Sequence, residues 1–326
     1  MFPSVYPSPL RRTSSVIVAI LGALCAFGVS PGCSSDPVAP SDASTSDSAD
    51  AAVENDGETP DAQTTDVVVE TSTDAGADSA VTTIGAGPYS IAYSSAPGIG
   101  IDQRPAVTAV VGTGGELESY EAAANEKPSR GTNQVGEVYM DAFSMLGRWN
   151  GGTTAGVYYA SPSFTYSASQ GFHYGLVVQS AALPTSGTVA YNFAKATAAT
   201  IGDGTLAAGV VTAKAAVLFQ AATRKTAIEL TITMPSDGTY TATTAGGVLD
   251  PSQSTLGSFN NSFNGDFPVT GTGAACMGAN PCKVAVRGFV GGGAGANSAA
   301  RLVLVFVLGT GNNDKSIRGA AVFKAP

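Results

Sequence analysis

Val284-Ala285-Val286-Arg287-Gly288-Phe289-Val290, Arg301-Leu302-Val303-Leu304-Val305-Phe306-Val307-Leu308 and Ile317-Arg318-Gly319-Ala320-Ala321-Val322-Phe323 are three β-type runs between Lys283 and Lys324. β-Branched and large apolar residues dominate them, and Gly291-Gly292-Gly293 and Gly309-Thr310-Gly311-Asn312-Asn313-Asp314 mark turns. Strands joined by tight turns pair antiparallel. A final stretch of paired strands that finishes on Phe323 predicts a sheet closing on itself.

Upstream the same pattern continues back to about residue 81. Short β-rich runs at Ala106–Val111, Val135–Leu146, Phe172–Gln179, Gly187–Phe193, Val210–Phe219, Thr226–Met234, Thr239–Thr244 and Phe259–Phe267 alternate with turn clusters such as Asn150-Gly151-Gly152, Gly202-Asp203-Gly204 and Pro235-Ser236-Asp237-Gly238. In the run ending at Met234, Ile228, Leu230, Ile232 and Met234 share one face while Glu229, Thr231 and Thr233 share the other. No helical crossover separates these runs, so the fold class is all-β and antiparallel, with residues 81–326 as one β-barrel domain. Glu116–Lys127 fits a helix by propensity but lacks an apolar stripe, and the sequence leaves it open.

Residues 1–32 read as an export signal. Arg11 and Arg12 precede a 14-residue apolar core, Val16–Val29, shorter than the roughly 20 residues a spanning helix needs. Ser30-Pro31-Gly32-Cys33 resembles the lipobox of bacterial lipoproteins, with Ser30 where leucine is preferred. The resemblance implies acylation of Cys33 and a membrane lipid anchor, and Ser34 after it implies passage to the outer membrane of the cell envelope. Cys25 is a weaker acylation site, and ordinary signal cleavage or an uncleaved anchor are the alternatives. Residues 33–80 hold twelve acidic side chains and no Lys or Arg. Their Ser/Thr/Ala/Asp composition cannot bury enough apolar surface to offset ordering, so they read as a disordered acidic linker. The remainder has fourteen basic and thirteen acidic residues with no basic stripe, which argues against nucleic acid.

Cys276 and Cys282 are the two cysteines of the predicted domain, and in an exported protein their pairing as a disulfide is expected to pin a loop. A metal site would need further ligands, and His173 is the single histidine of the chain. No G-x-S-x-G elbow, P-loop or dinucleotide fingerprint is present, so neither a nucleophile nor a cofactor is indicated. The glycine runs read as turns, and as gaps opposite large aromatics in a curved sheet.

Several segments together resemble the transferrin-binding-protein-like β-barrels of bacterial surface lipoproteins, found also at the C-terminus of some FecR-type proteins. Leu146-Gly147-Arg148-Trp149-Asn150-Gly151-Gly152 is similar to their GRW-x-GG segment. Phe172-His173-Tyr174 with Leu183–Tyr191 is similar to their HY and P-x-SG hairpin, Val286–Ala294 to G-x-F-x-G-x-x-A, and Gly319–Phe323 to the closing GAAxF. The resemblance spans about residues 135–326 and implies a closed antiparallel barrel of about eight strands. The export signal, the spacer and the absence of a catalytic set point to a non-catalytic lipoprotein that binds a protein or small ligand through its loops. Transferrin itself does not carry over, because the chain is too short for two lobes. Gly147-Arg148-Trp149 also resembles the G-x-W of lipocalins. That likeness implies a tryptophan plugging a barrel end with Arg301 or Arg318 packed across it, either as a structural Trp–Arg stack with no ligand cavity or, as the alternative function, in a carrier of a small apolar ligand. A structural or signalling role like that of FecR-type barrels is the other alternative.

Overall fold

The computed structural model describes residues 84–326 apart from 98–99, 159–162, 222 and 279. The signal segment 1–32, Cys33 and the acidic segment 33–80 lie outside the described residues. The strands are β1 (Tyr89–Ala96), β2 (Gly100–Val111), β3 (Leu117–Glu121), β4 (Glu126–Ser129), β5 (Gln134–Met140), β6 (Ser144–Asn150), β7 (Gly152–Thr153), β8 (Ala155–Tyr158), β9 (Thr165–Tyr166) and β10 (Gly171–Val178). They continue with β11 (Gly187–Ala196), β12 (Thr200–Ile201), β13 (Val210–Phe219), β14 (Arg224–Met234), β15 (Gly238–Thr243), β16 (Gly257–Phe259), β17 (Ser262–Thr270), β18 (Lys283–Gly291), β19 (Arg301–Gly309) and β20 (Ile317–Lys324).

Eight of these form a closed antiparallel barrel in the order β11-β13-β14-β15-β17-β18-β19-β20, sealed by pairing of β20 with β11, Asn192 opposite Lys324 and Ala196 opposite Ala321. Period-two alternation decides what fills it. Val211, Ala213, Ala215, Val217 and Phe219 of β13 and Ile228, Leu230, Ile232 and Met234 of β14 point inward. They meet Leu302, Leu304, Phe306 and Leu308 of β19 in one apolar cluster. The face read from the sequence of β14 is therefore the inner face.

The barrel is narrower in sequence than the expected 81–326. Strands β1 to β6, β8 and β10 instead make a separate eight-stranded sheet, in the order β5-β6-β10-β1-β2-β3-β4-β8. One face of this sheet lies on the outer wall of the barrel. Ala92, Leu146 and Val177 pack there against Phe289, Val303, Val305, Ala320 and Val322. This is why β19 reads as an almost unbroken apolar run: both of its faces are covered from Leu302 to Phe306. The cover stabilises by roughly 1.5–3 kcal/mol for each valine- or leucine-sized side chain fully removed from water. The sheet's other face gathers an aromatic core of its own around Trp149, Phe172, Tyr93 and Tyr120.

Two local readings change. Val135–Leu146 is two strands, β5 and β6. Asp141 turns the chain between them by accepting the N–H groups of Phe143 at 2.9 Å and Ser144 at 2.8 Å. Glu116–Lys127 contributes β3 and the start of β4, so it is strand.

Three glycines face aromatic rings across strand pairs: Gly288 opposite Phe263, Gly319 opposite Phe306 and Gly147 opposite Tyr174. A Cβ at any of them would overlap the facing ring. Each glycine removes a side chain where a ring must lie flat on the wall, the device anticipated from the glycine-rich sequence. Replacing Gly319 by Val should therefore cost about 1–3 kcal/mol through overpacking against Phe306, seen as a lowered urea midpoint. A midpoint equal to wild type would show that the ring has room to move.

Candidate functional site

Gly147, Arg148 and Trp149 do not plug a barrel end. They lie on β6, inside the sheet that covers the barrel, and successive residues on a strand point to opposite faces. Trp149 turns away from the barrel. Its ring stacks on Phe172 with centroids 4.8 Å apart, and its indole N–H donates to the Leu117 carbonyl at 2.7 Å. The stack continues from Phe172 to Tyr93 at 5.4 Å and on to Tyr120 at 5.7 Å. The two arginines proposed to cross the plug are engaged elsewhere. Arg301 pairs with Asp141 at 2.7 Å and lies over the Phe143 ring. Arg318 holds the 310–316 loop by donating to both the carbonyl and the side-chain oxygen of Asn313.

Arg148 points the other way, toward the barrel, and joins a buried polar row. Arg148 and His173 are register partners on β6 and β10, and Thr200 and Arg318 are partners on β12 and β20. His173 connects the two pairs. Its Nδ1 lies 2.9 Å from the Thr197 hydroxyl and its Nε2 lies 2.7 Å from the Thr200 hydroxyl. Burial holds the imidazole neutral well below its ordinary range, and the charges of Arg148 and Arg318 push the same way. Burial also lowers Arg318 to about 10, against the opposing pull of Tyr166 and Asp314. With both ring nitrogens taken by threonines and no solvent exposure, His173 is a structural pin between sheet and barrel. It lacks the access that a general base requires.

The interior of the barrel is occupied. Phe219, Ile228, Phe263, Leu304, Phe306 and Phe323 are each 0–2 % exposed and belong to one packed cluster. In an eight-stranded barrel, side chains of this size fill the lumen, which removes the space an apolar cargo would need.

A groove of about 440 Å³ lies on the outer wall. Outward positions of three adjacent strands form it, with Asp266, Ala285 and Val307 in one cross-strand row. Lys283 stands at its side, and Asn280, Thr310, Asn313 and Ser316 from two loops form its polar rim. Both loops are tied down. Cys276 and Cys282 form a disulfide with Cα atoms 5.0 Å apart. The Ala274 N–H donates to Asp237 at 2.8 Å, the Ala275 N–H donates to the Tyr240 hydroxyl at 3.3 Å, and the Asn280 amide donates to the Thr310 carbonyl at 3.2 Å. The rim is thus held in place before any ligand arrives, which lowers the ordering cost of binding. Sequence reading found the disulfide. It did not find Asp266, Lys283 and Asn313, whose juxtaposition depends on strand register and carries no motif.

No protein-family model matches the chain, and no curated protein matches it in sequence. Solved structures similar to it include the isotype 1 transferrin binding protein B from serogroup B Neisseria meningitidis, at 11% identity and TM-score 0.34, with 73% of this chain and 43% of that one covered. Another is a tryptophan-to-alanine mutant of transferrin binding protein B from Haemophilus parasuis Hp5, at 11% identity and TM-score 0.36, with 73% and 45% covered. The chain spans less than half the length of these solved proteins.

Two outcomes follow from this geometry. The unfolded chain protonates its histidine near pH 6.5, whereas folded His173 stays neutral well below that. The unfolded state then binds more protons, so the His173 contribution is complete above about pH 6.5 and is lost as pH falls, by up to about 1.4 kcal/mol per pH unit. Asp141 and Asp203, held low by hydrogen bonds and their cationic partners despite some desolvation, contribute only nearer their ordinary value of 3.8. Urea midpoints between about pH 4.5 and 6.5 should slope for wild type and flatten for His173→Gln, and equal slopes would refute the pin. Separately, converting Cys276 and Cys282 to serine should lower stability by about 2 kcal/mol, the loop-entropy value for so short a loop. Reductant should reproduce that loss in the unaltered protein.

Proposed function

We propose that this protein is a bacterial cell-envelope lipoprotein whose barrel binds a protein or small ligand at the loop-bordered outer groove without catalysing a reaction. Residues 1–32 are its export signal, Cys33 its acylated mature N-terminus and residues 33–80 an acidic spacer from an outer-membrane anchor. The observation that carries the reading is the filled barrel: with no lumen to load, recognition falls to the outer surface. There the groove between the disulfide-pinned loop and the 310–316 loop offers opposite charges, Asp266 and Lys283, over a small apolar floor of Ala285 and Val307. The sealed environment of His173 supports the non-catalytic part. The packed interior counts against the lipocalin-like alternative.

Mass spectrometry of detergent-extracted mature protein should find Cys33 as the N-terminal residue carrying acyl chains, and Cys33→Ser should release the protein from membranes. An unmodified N-terminus at another residue would end the lipoprotein reading. For the groove, an Asp266→Lys, Lys283→Glu double exchange should leave thermal stability unchanged. It should also abolish retention of whatever partner the unaltered protein captures from envelope extract. Identical capture by both proteins would move the binding surface elsewhere.

A further inference from the structure

The opposite end of the barrel carries a second concave site, of about 260 Å³, between Gln220, Thr223 and Arg224, where β13 ends and β14 begins, and the β16–β17 hairpin. Arg224 opens β14 and is paired in register with Phe219. It lies on the same strand face as Ile228 and Leu230, which fill the lumen, so its guanidinium sits over the barrel mouth. Ser258, on β16, stands opposite the lumen residue Phe263. Arg224 Nε and Ser258 Oγ are both buried and both lack a hydrogen-bond partner. Unsatisfied buried donors cost about 1–3 kcal/mol each, more when charged, and native structures rarely leave two of them lining one pocket.

The surroundings indicate what would satisfy them. Among the residues lining the pocket there is no carboxylate, and Arg224 is its single charge. Gln220 accepts the Thr223 hydroxyl at 2.8 Å through its oxygen, which leaves its NH2 as a further donor. Phe259 stands at the rim with 75% of its surface exposed. It is presented there by the turn at Asn260, whose φ is 50°, and by the Ser262 hydroxyl bonded to the Phe259 carbonyl at 2.8 Å. Asn261 anchors the hairpin through its amide to the Ser180 carbonyl at 3.0 Å. The pocket thus presents several donors with an aromatic ring beside it.

We infer that this pocket binds the oxyanion group of a small aromatic or apolar molecule. The Nε–Nη edge of Arg224 takes two oxygens of a carboxylate or phosphate, Ser258 Oγ donates to the anion, and the body of the ligand rests on Phe259. Guanidinium groups favour this two-point geometry, and charge-assisted hydrogen bonds are roughly twice as strong as neutral ones. The site lies apart from the outer-wall groove, at the other barrel end, and does not depend on it.

The test uses the full chain, titrated with benzoate, phenyl phosphate and the neutral analogue benzamide and followed by NMR chemical shifts. Saturable shifts at Arg224, Ser258 and Phe259 are expected with the anions, and whichever of the two binds more tightly identifies the headgroup. Benzamide should bind at least about tenfold more weakly, as should either anion to Arg224→Gln, from the loss of a charged hydrogen bond. Ser258→Ala, a smaller change that keeps the fold if Arg224→Gln does not, should weaken anion binding several-fold. Phe259→Ala should weaken benzoate while leaving the response to inorganic phosphate unchanged. Equal binding of benzamide and benzoate, no saturable shift with either anion, or shifts confined to the outer-wall groove would each overturn the inference.

Discussion

Strand β19 is buried on both faces from Leu302 to Phe306. Leucines and Phe306 fill the lumen on one side, and Val303 and Val305 meet the covering sheet on the other. The rest of the fold follows from this double burial. A cylinder can bury one side of its wall alone. Burying the second side on β18, β19 and β20 requires another sheet whose contacting face is small enough to approach. Ala92 and Gly175 meet that need on the covering side, where a Cβ at Gly175 would come within 3.1 Å of the Val303 side chain. Where the apolar contact gives way to polar side chains, His173 bridges the two bodies through Thr197 and Thr200.

How much of this was legible depended on whether local chemistry or distant pairing set the outcome. The runs Val210–Phe219 and Arg301–Leu308 marked their strands closely, because β-branched residues and glycine turns act locally. Ile228, Leu230, Ile232 and Met234 declared the lumen face by simple alternation. The covering sheet was harder to see. Its strands β1, β2 and β10 carry the same short β-type runs as the barrel, and nothing in composition says which body a strand joins. Trp149 misled for a related reason. A G-x-W segment names a residue pair but not a sheet, and here the indole found its partners in Phe172 and Leu117. The cysteine pair was readable because six residues of separation and the export signal expected from the sequence constrain it.

The candidate binding surfaces share a physical origin. Each lies where strands stop and backbone groups lose their ladder partners, so loop side chains are drawn in to satisfy them. At one end Asp237, Tyr240 and Asn280 do so and, with the disulfide closing the loop, leave a groove with a fixed rim. At the other end the polar demand is left open at Arg224 and Ser258. The single histidine belongs to neither surface and is sealed between the two bodies.

Closure through β20 and β11 has a temporal consequence. The seam joins Ala196 to Ala321 and Asn192 to Lys324, segments that leave a ribosome far apart in time. Until residues 317–324 emerge, β11 has an exposed edge and β19 lacks a neighbour. Pairing at such long range is slow, and open edges invite association with other chains. A polypeptide built this way stays unsealed while the chain from β11 to β19 is made, and becomes a cylinder only when β20 is delivered.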